Sequence, residues 1–234
     1  EKIPFHVVYF DQKSAFDGLD HSLLLRKMND LGISSKTVTW CRSYLTNRTF
    51  RVSIDGTLSE PRAAPSGVPQ GGSLSPLLYV IFALDLREFL PPSVNYLQYA
   101  DDVKVYAPVR DTTERLALQK AVDGVAEWCT ANHMLLSASK CVVLAPNYDE
   151  DDPYTCAPNY TIDGVRLPVA SSTRDLGVII TPNLDFTEYV STLAGSARNI
   201  VNCLFRCFIV QTPEFYLRLY KALVLSKFLY CCPV

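Results

Sequence analysis

An α/β fold of the α+β kind is predicted: an antiparallel sheet backed by helices and followed by a helical lobe. Three observations lead there. The β-branched and aromatic run Val7-Val8-Tyr9-Phe10 ends on Asp11, the pattern of a buried strand that delivers a carboxylate at its end. Two more apolar segments, Val94 to Ala100 and Val103 to Ala107, bracket Asp101-Asp102 as a hairpin. Helical spacing of apolar residues recurs near residues 22–31, 75–89 and 111–133, and a purely helical pattern follows Phe186.

Each element has a local cause. After the first strand, Ser22 can cap a helix in which Leu24, Leu25, Met28 and Leu31 share a face until Gly32 stops it. A second helix, Ser35 to Leu45, carries Trp40, Cys41 and Tyr44. Thr49 to Ile54 and Ser59 to Ala64 flank Asp55-Gly56, a dipeptide suited to the positive-φ positions of a tight hairpin. A loop from Pro65 to Gly72 leads to Ser75-Pro76, a cap followed by proline in the first helical turn, and an apolar helix to Phe89. Asp111-Thr112-Thr113-Glu114 has the form of a capping box for a helix reaching His133. Ser139 to Leu144 returns as a strand carrying Lys140, and Asp149-Glu150-Asp151-Asp152 falls in a surface loop. Short strands are expected at Tyr160 to Ile162 and Leu176 to Ile180. Helices from Phe186 to Arg206 and from Pro213 to Tyr230, the latter capped by Thr212, form the lobe. No internal repeat is present.

With 234 residues and 48% hydrophobic content, the chain can bury one large core with an appended lobe. The longest apolar run, Leu77 to Leu84, stops at Asp85, far short of the ~20 residues a bilayer crossing needs. The N-terminal residues lack the basic start and apolar stretch of a secretory signal, and Cys231-Cys232-Pro233-Val234 follows a helical pattern without a terminating turn. A fragment of a longer protein is expected. The net charge of −2 argues against a protein that grips nucleic acid over its whole surface, so any such contact must be local. Beyond Asp185, Arg198, Arg206, Arg218, Lys221 and Lys227 outnumber Asp185, Glu188 and Glu214, a mild excess that solvated helix faces explain equally well. The eight cysteines form no Cys-x-x-Cys pair, which fits reduced thiols inside a cell. Cys203 and Cys207, one helical turn apart, could share a metal; small apolar residues on a buried helix face is the simpler reading.

Taken alone, a strand-ending Asp and an Asp-Asp turn fit either an ordinary surface turn or a site for phosphoryl transfer. That chemistry asks little of covalent catalysis and much of charge neutralisation, commonly by two divalent cations ~4 Å apart. Asp11 at a strand end and Asp101-Asp102 in a hairpin turn could meet if their strands are neighbours, and hard oxygen donors suit Mg²⁺. Two adjacent acids between strands as apolar as Tyr96-Leu97-Gln98-Tyr99-Ala100 and Val103-Lys104-Val105-Tyr106 repel each other, a conflict that a cation would resolve.

Tyr99-Ala100-Asp101-Asp102 resembles the central signature of reverse transcriptases, and the order of the other motifs agrees. Phe10-Asp11-Gln12-Lys13-Ser14-Ala15-Phe16-Asp17 resembles the first palm motif. Ser66 through Pro76 is similar to the Pro-Gln-Gly motif that opens the palm helix. Trp128 to Asn132 with Ser139-Lys140 resembles the fourth motif, and Arg174-Asp175-Leu176-Gly177-Val178 the primer grip. The wording Ser-Ala-Phe-Asp, His-Ser-Leu-Leu, Leu-Gly-Ile, Ser-Tyr-Leu-Thr-Asn-Arg and Leu-Gly-Val is similar to non-LTR (LINE-type) retrotransposon enzymes rather than retroviral ones.

The resemblance implies a reverse-transcriptase palm at residues 1–184, with the fingers largely missing, and the start of a helical thumb at residues 185–234. It implies an RNA-directed DNA polymerase working with an RNA template, a DNA primer and dNTPs, without a membrane, inside the cell and in the nucleus. Asp11, Asp101 and Asp102 would be metal ligands for two Mg²⁺ ions, with Mn²⁺ a substitute. Phe16, bulky and without a hydroxyl, would lie under the sugar and exclude a 2′-OH, with core packing as its alternative. Gln70 and the bare backbone of Gly71 and Gly72 would line the dNTP and template pocket, where an ordinary loop is the alternative. Lys140 would protonate or neutralise the pyrophosphate, or be an exposed strand lysine. Asp17 and Asp20 read as local hydrogen-bonding or capping residues. The competing readings are a group II intron maturase-like protein, a non-catalytic remnant that binds nucleic acid, and, more remotely, a viral RNA-dependent RNA polymerase, whose palm has Gly before the Asp pair. An isolated fragment lacking fingers could be inactive.

Overall fold

A computed structural model describes residues 3–148, 156–208 and 212–231, so the acidic segment Asp149 to Asp152 lies outside the described residues. The chain groups into two compact units that divide between Val169 and Ala170. In chain order the first contains β1 (Phe5–Phe10), β2 (Gln12–Lys13), α1 (Ala15–Gly18), α2 (His21–Asp30) and α3 (Ser35–Leu45). There follow β3 (Thr49–Phe50), β4 (Ser53–Ile54), β5 (Thr57–Leu58), β6 (Arg62–Ala63) and α4 (Ser75–Ala83), which runs on as a 3-10 helix, Leu84–Phe89. Next come β7 (Asn95–Tyr99), β8 (Asp102–Pro108), α5 (Thr112–Ala131), β9 (Leu135–Leu136), β10 (Val142–Leu144), β11 (Thr161–Ile162) and β12 (Val165–Arg166).

The sheet of this unit has four strands in the order β10-β1-β8-β7, every neighbour antiparallel. Its register puts Val8 opposite Val105 and Phe10 opposite Val103, all four buried, so one face of β1 and β8 is a continuous apolar surface. The helices cover that face: Tyr79, Phe82, Leu118, Val122, Val125 and Trp128 join these residues in one core. At Gly124, α5 comes so close to the carbonyl of Phe89 that a Cβ would collide with it. A charged pair lies inside this layer. Lys27 Nζ donates to Asp85 Oδ1 (2.7 Å) and to the carbonyl of Phe82 (2.6 Å), 4.5 Å from the Phe82 ring centroid, and Trp128 Nε1–H donates to the same Asp85 oxygen (2.8 Å). Burial pulls the Lys27 pKa below its ordinary value against the counter-effect of Asp85.

Several sequence expectations are corrected. The cap of α2 is Asp20, whose carboxylate accepts from the backbone N–H of Ser22 (2.8 Å) and Leu23 (3.0 Å), two residues ahead of the Ser22 expected. Ser75 does not cap α4; it is the first helical residue and its hydroxyl donates to the Pro69 carbonyl, tying the loop to the helix. The tight Asp55-Gly56 turn is present, with Ile54 paired to Thr57, but the flanking strands are two-residue ladders. The ladder cannot run through Pro61, which has no N–H, and Val52 N–H turns to the Ser59 hydroxyl instead (3.0 Å). Lys140 sits in a turn, its N–H donating to the Ser137 carbonyl (2.8 Å), and not on the strand, which begins at Val142.

The second unit holds β13 (Thr173–Asp175), β14 (Val178–Ile180), α6 (Thr187–Cys207) and α7 (Pro213–Leu219), continued by a π-helical stretch, Tyr220–Leu225, and α8 (Ser226–Leu229). The π stretch breaks the single helix expected from Pro213 to Tyr230, and the Thr212 side chain makes no cap hydrogen bond. The hairpin β13–β14 clusters with the helices of this unit, as Tyr230 donates to the Leu176 carbonyl. On α6, Cys203 and Cys207 are exposed rather than on a buried face, their sulfurs 3.6 Å apart.

Candidate active site

β1 ends at Phe10 and places Asp11 immediately beyond the sheet, half exposed, with its carbonyl accepting from the Ser137 N–H (2.9 Å). Phe10 pairs with Val103, so one further step along both strands brings Asp11 and Asp102 to the same end of neighbouring strands. Tyr99 pairs with Asp102 across β7 and β8, which leaves Ala100-Asp101 as the two-residue loop. Ala100 takes φ 53°, a left-handed conformation uncommon for a residue with a Cβ. Register thus puts the end of the first strand and the acidic turn on the same rim of the sheet, because apolar pairs fix the strands and leave the acids at the edge.

Lys140 Nζ lies 3.7 Å from Asp11 Oδ2, so the turn after α5 brings a cation to this carboxylate. Among the described residues no group of three His, Cys, Asp or Glu side chains is gathered closely enough to hold a metal by itself. The donor set still fits Mg²⁺, which is ordinarily held by one or two carboxylates together with water and substrate phosphates rather than in an all-protein cage.

Phe16, in α1, is only partly buried and stacks on Tyr79, ring centroids 4.9 Å apart and planes at 29°. It is thus both packed against the core and open on one side. Tyr79 is fully buried and its hydroxyl donates to Gln12 Oε1 (2.7 Å). Burial, and after it the charge of Asp101, raises the Tyr79 pKa above its ordinary value. Gln12 Nε2 is buried with no partner among the described residues.

The glycine-containing loop is bound to α1. Gly67 N–H donates to the Leu19 carbonyl and Val68 N–H to the Phe16 carbonyl, both at 2.8 Å, while His21 Nε2 and the Arg48 guanidinium meet the Gly67 carbonyl. A Cβ on Gly67 would lie 2.6 Å from the Cα and carbonyl oxygen of Asp17. Gln70 Nε2 donates to both Asp17 oxygens at 3.0 Å, leaving Gln70 Oε1 as an acceptor, and Asp17 has the local role expected of it. Gly71 has φ +76° and open space around it, whereas a Cβ on Gly72 would meet the Ser75 hydroxyl at 3.0 Å. Sequence reasoning named Phe16, Gln70 and Gly71 but missed Tyr79, Gln12 and Gly67; only the placement of Gly67 inside a loop motif hinted at a close approach.

This sheet, with carboxylates at adjoining strand ends, has the fold of reverse-transcribing polymerases. Apo telomerase from Candida tropicalis, truncated from its C-terminal domain, superposes with a TM-score of 0.55 at 16% identity over 79% of this chain and 35% of that one. Telomerase from the same organism with a fragment of telomeric RNA gives 0.51 at 15% identity over 85% and 34%. The family model described as reverse transcriptase (RNA-dependent DNA polymerase) matches residues 4–180, and the chain belongs to that family. Its relatives include the RNA-directed DNA polymerase from mobile element jockey of Drosophila funebris, 30% identical over 81% of this chain. The probable RNA-directed DNA polymerase from transposon BS of Drosophila melanogaster is 29% identical over 79%. These are non-LTR retrotransposon enzymes, and the chain spans 21% of the length of either.

Proposed function

We propose that the chain is the palm and the beginning of the thumb of a non-LTR retrotransposon polymerase that copies RNA into DNA, acting in the nucleus on an RNA template, a DNA primer and dNTPs. The observation that carries this reading is the placement of Asp11 and the Asp101-Asp102 turn at the same end of the neighbouring strands β1 and β8, within a family of RNA-dependent DNA polymerases. Two divalent cations, Mg²⁺ or Mn²⁺, bound by Asp11, Asp101 and Asp102 together with nucleotide phosphates, would neutralise charge on the attacking and leaving oxygens. Lys140, beside Asp11, adds a positive charge for the departing pyrophosphate and is within its reach as a proton donor. The open side of Phe16 faces the sugar and leaves no room for a 2′-OH. Gln70, its nitrogen held by Asp17, offers Oε1 to the incoming nucleotide, and Gly71 lets backbone and nucleotide approach. Arg174 and Lys227, which line a cavity of about 370 Å³ in the second unit, supply the local positive charge that a primer or template strand needs.

The test is extension of a DNA primer on an RNA template by the protein carrying this segment within its full reading frame. Extension requiring Mg²⁺ and dNTPs, lost by at least about 10³-fold in Asp101→Ala, is expected. A folded protein that never extends the primer would leave a non-catalytic nucleic-acid-binding remnant as the better account.

A further inference from the structure

We infer that Tyr79 is a positioning residue for sugar selection: its buried ring sets the height and tilt of Phe16, and thereby how much room remains under the nucleotide sugar. This rests on the reading of Phe16 as the sugar-facing residue. Phe16 belongs to a helix of four residues, too short to hold a side chain by its own packing, and it is only partly buried. Its backbone is fixed by the Val68 N–H on its carbonyl (2.8 Å), which leaves the ring to be placed by what lies beneath it. What lies beneath is Tyr79, at 4.9 Å and 29°.

Tyr79 is the immobile member of this stack. It is 0% exposed, lies against Phe82 in the core, and its hydroxyl is bonded to Gln12 Oε1. Gln12 is fixed in turn, 6% exposed and paired through β2 to Leu136 of β9. The packed ring of Tyr79, rather than its hydroxyl, therefore sets where Phe16 rests, and the bond to Gln12 adds to the stability of the core around it. Rejecting one hydroxyl by contact depends on fit at the ångström scale, so a gate ring free to settle deeper accepts ribonucleotides.

The experiment measures kcat/KM for a dNTP and for the matching rNTP in the full-length protein, for wild type, Tyr79→Leu, Tyr79→Phe and Phe16→Ala. Tyr79→Leu, which removes the stacking ring, should lower the dNTP preference about tenfold, chiefly through a lower KM for the rNTP. Tyr79→Phe keeps the ring but leaves Gln12 Oε1 without its donor, so it should melt lower while holding selectivity within about twofold of wild type. That contrast separates positioning from stability; where Tyr79→Leu fails to fold, Tyr79→Met, of similar length but without a ring, takes its place, and wild-type selectivity in it overturns the inference, as does selectivity in Tyr79→Phe that falls with its melting temperature. Wild-type selectivity in Tyr79→Leu together with lost selectivity in Phe16→Ala also overturns it while leaving the gate in place. Unchanged selectivity in Phe16→Ala removes the gate itself.

Discussion

At the scale of single residues, backbone conformation does much of the work at this site. Ala100 carries a Cβ at φ 53° in the acidic turn, a position that costs an L-residue about 1–2 kcal/mol relative to glycine. Ala100→Gly should therefore raise stability by about 0.5–1 kcal/mol after the entropy of glycine is deducted, read from the urea midpoint. Gly67 is the opposite case. Its φ of +74° and the Asp17 backbone 2.6 Å from a would-be Cβ leave no atom able to yield, so Gly67→Ala should cost about 2–4 kcal/mol. Gly56→Ala, at φ +80° but in open space, should cost only about 1 kcal/mol in the same titration, which separates collision from conformation. If both glycines cost the same, the close contact between the loop and α1 is wrong.

Among elements, β1 is bound to the far end of the unit by a buried histidine. His6 Nδ1 meets the Tyr160 hydroxyl at 2.7 Å, and burial, followed by the charge of Arg115 on α5, lowers the His6 pKa from 6.5 to about 4. The folded chain therefore holds His6 neutral over a range in which the unfolded chain protonates it. Stability contributed by this group is complete above pH 6.5 and is lost as pH falls toward 4, a change on the order of 3 kcal/mol. Denaturation followed across that window should show the loss in wild type, and His6→Gln should flatten it; an equal slope in the variant would assign the effect to other groups. The strand itself was legible, because four apolar residues in a row interrupted by Asp11 can be read without a partner, and the same holds for the Asp101-Asp102 turn. The contacts that support the site were not. Tyr79 and Gln12 are 67 residues apart, Lys27 and Asp85 58, and Asp85 and Trp128 43, and along the chain Tyr79 is one more apolar residue in an apolar helix. Periodicity predicts which face is buried, while the partner met there is set by how the layers stack.

For the molecule as a whole, the two units differ in how much they bury. The first contains nearly all of the buried core, whereas the described part of α6 has Ala197 as its one buried residue. A net charge of −2 over 234 residues confines attraction for nucleic acid to local patches, so binding should weaken with salt only as steeply as a few phosphate contacts require. The placement of the tryptophans has an optical consequence. The chain has two, and both fall in the first unit: Trp128, 0% exposed and bonded to Asp85, and Trp40, 53% exposed and stacked on Tyr44. Tryptophan emission is therefore blind to the helical unit. Iodide should quench one indole in the native protein and both after unfolding, and a urea titration followed by fluorescence tracks the sheet and its helices alone. Far-ultraviolet circular dichroism sees both units, so the interval between the two curves measures, without any added label, how far the helices of the second unit melt apart from the sheet of the first.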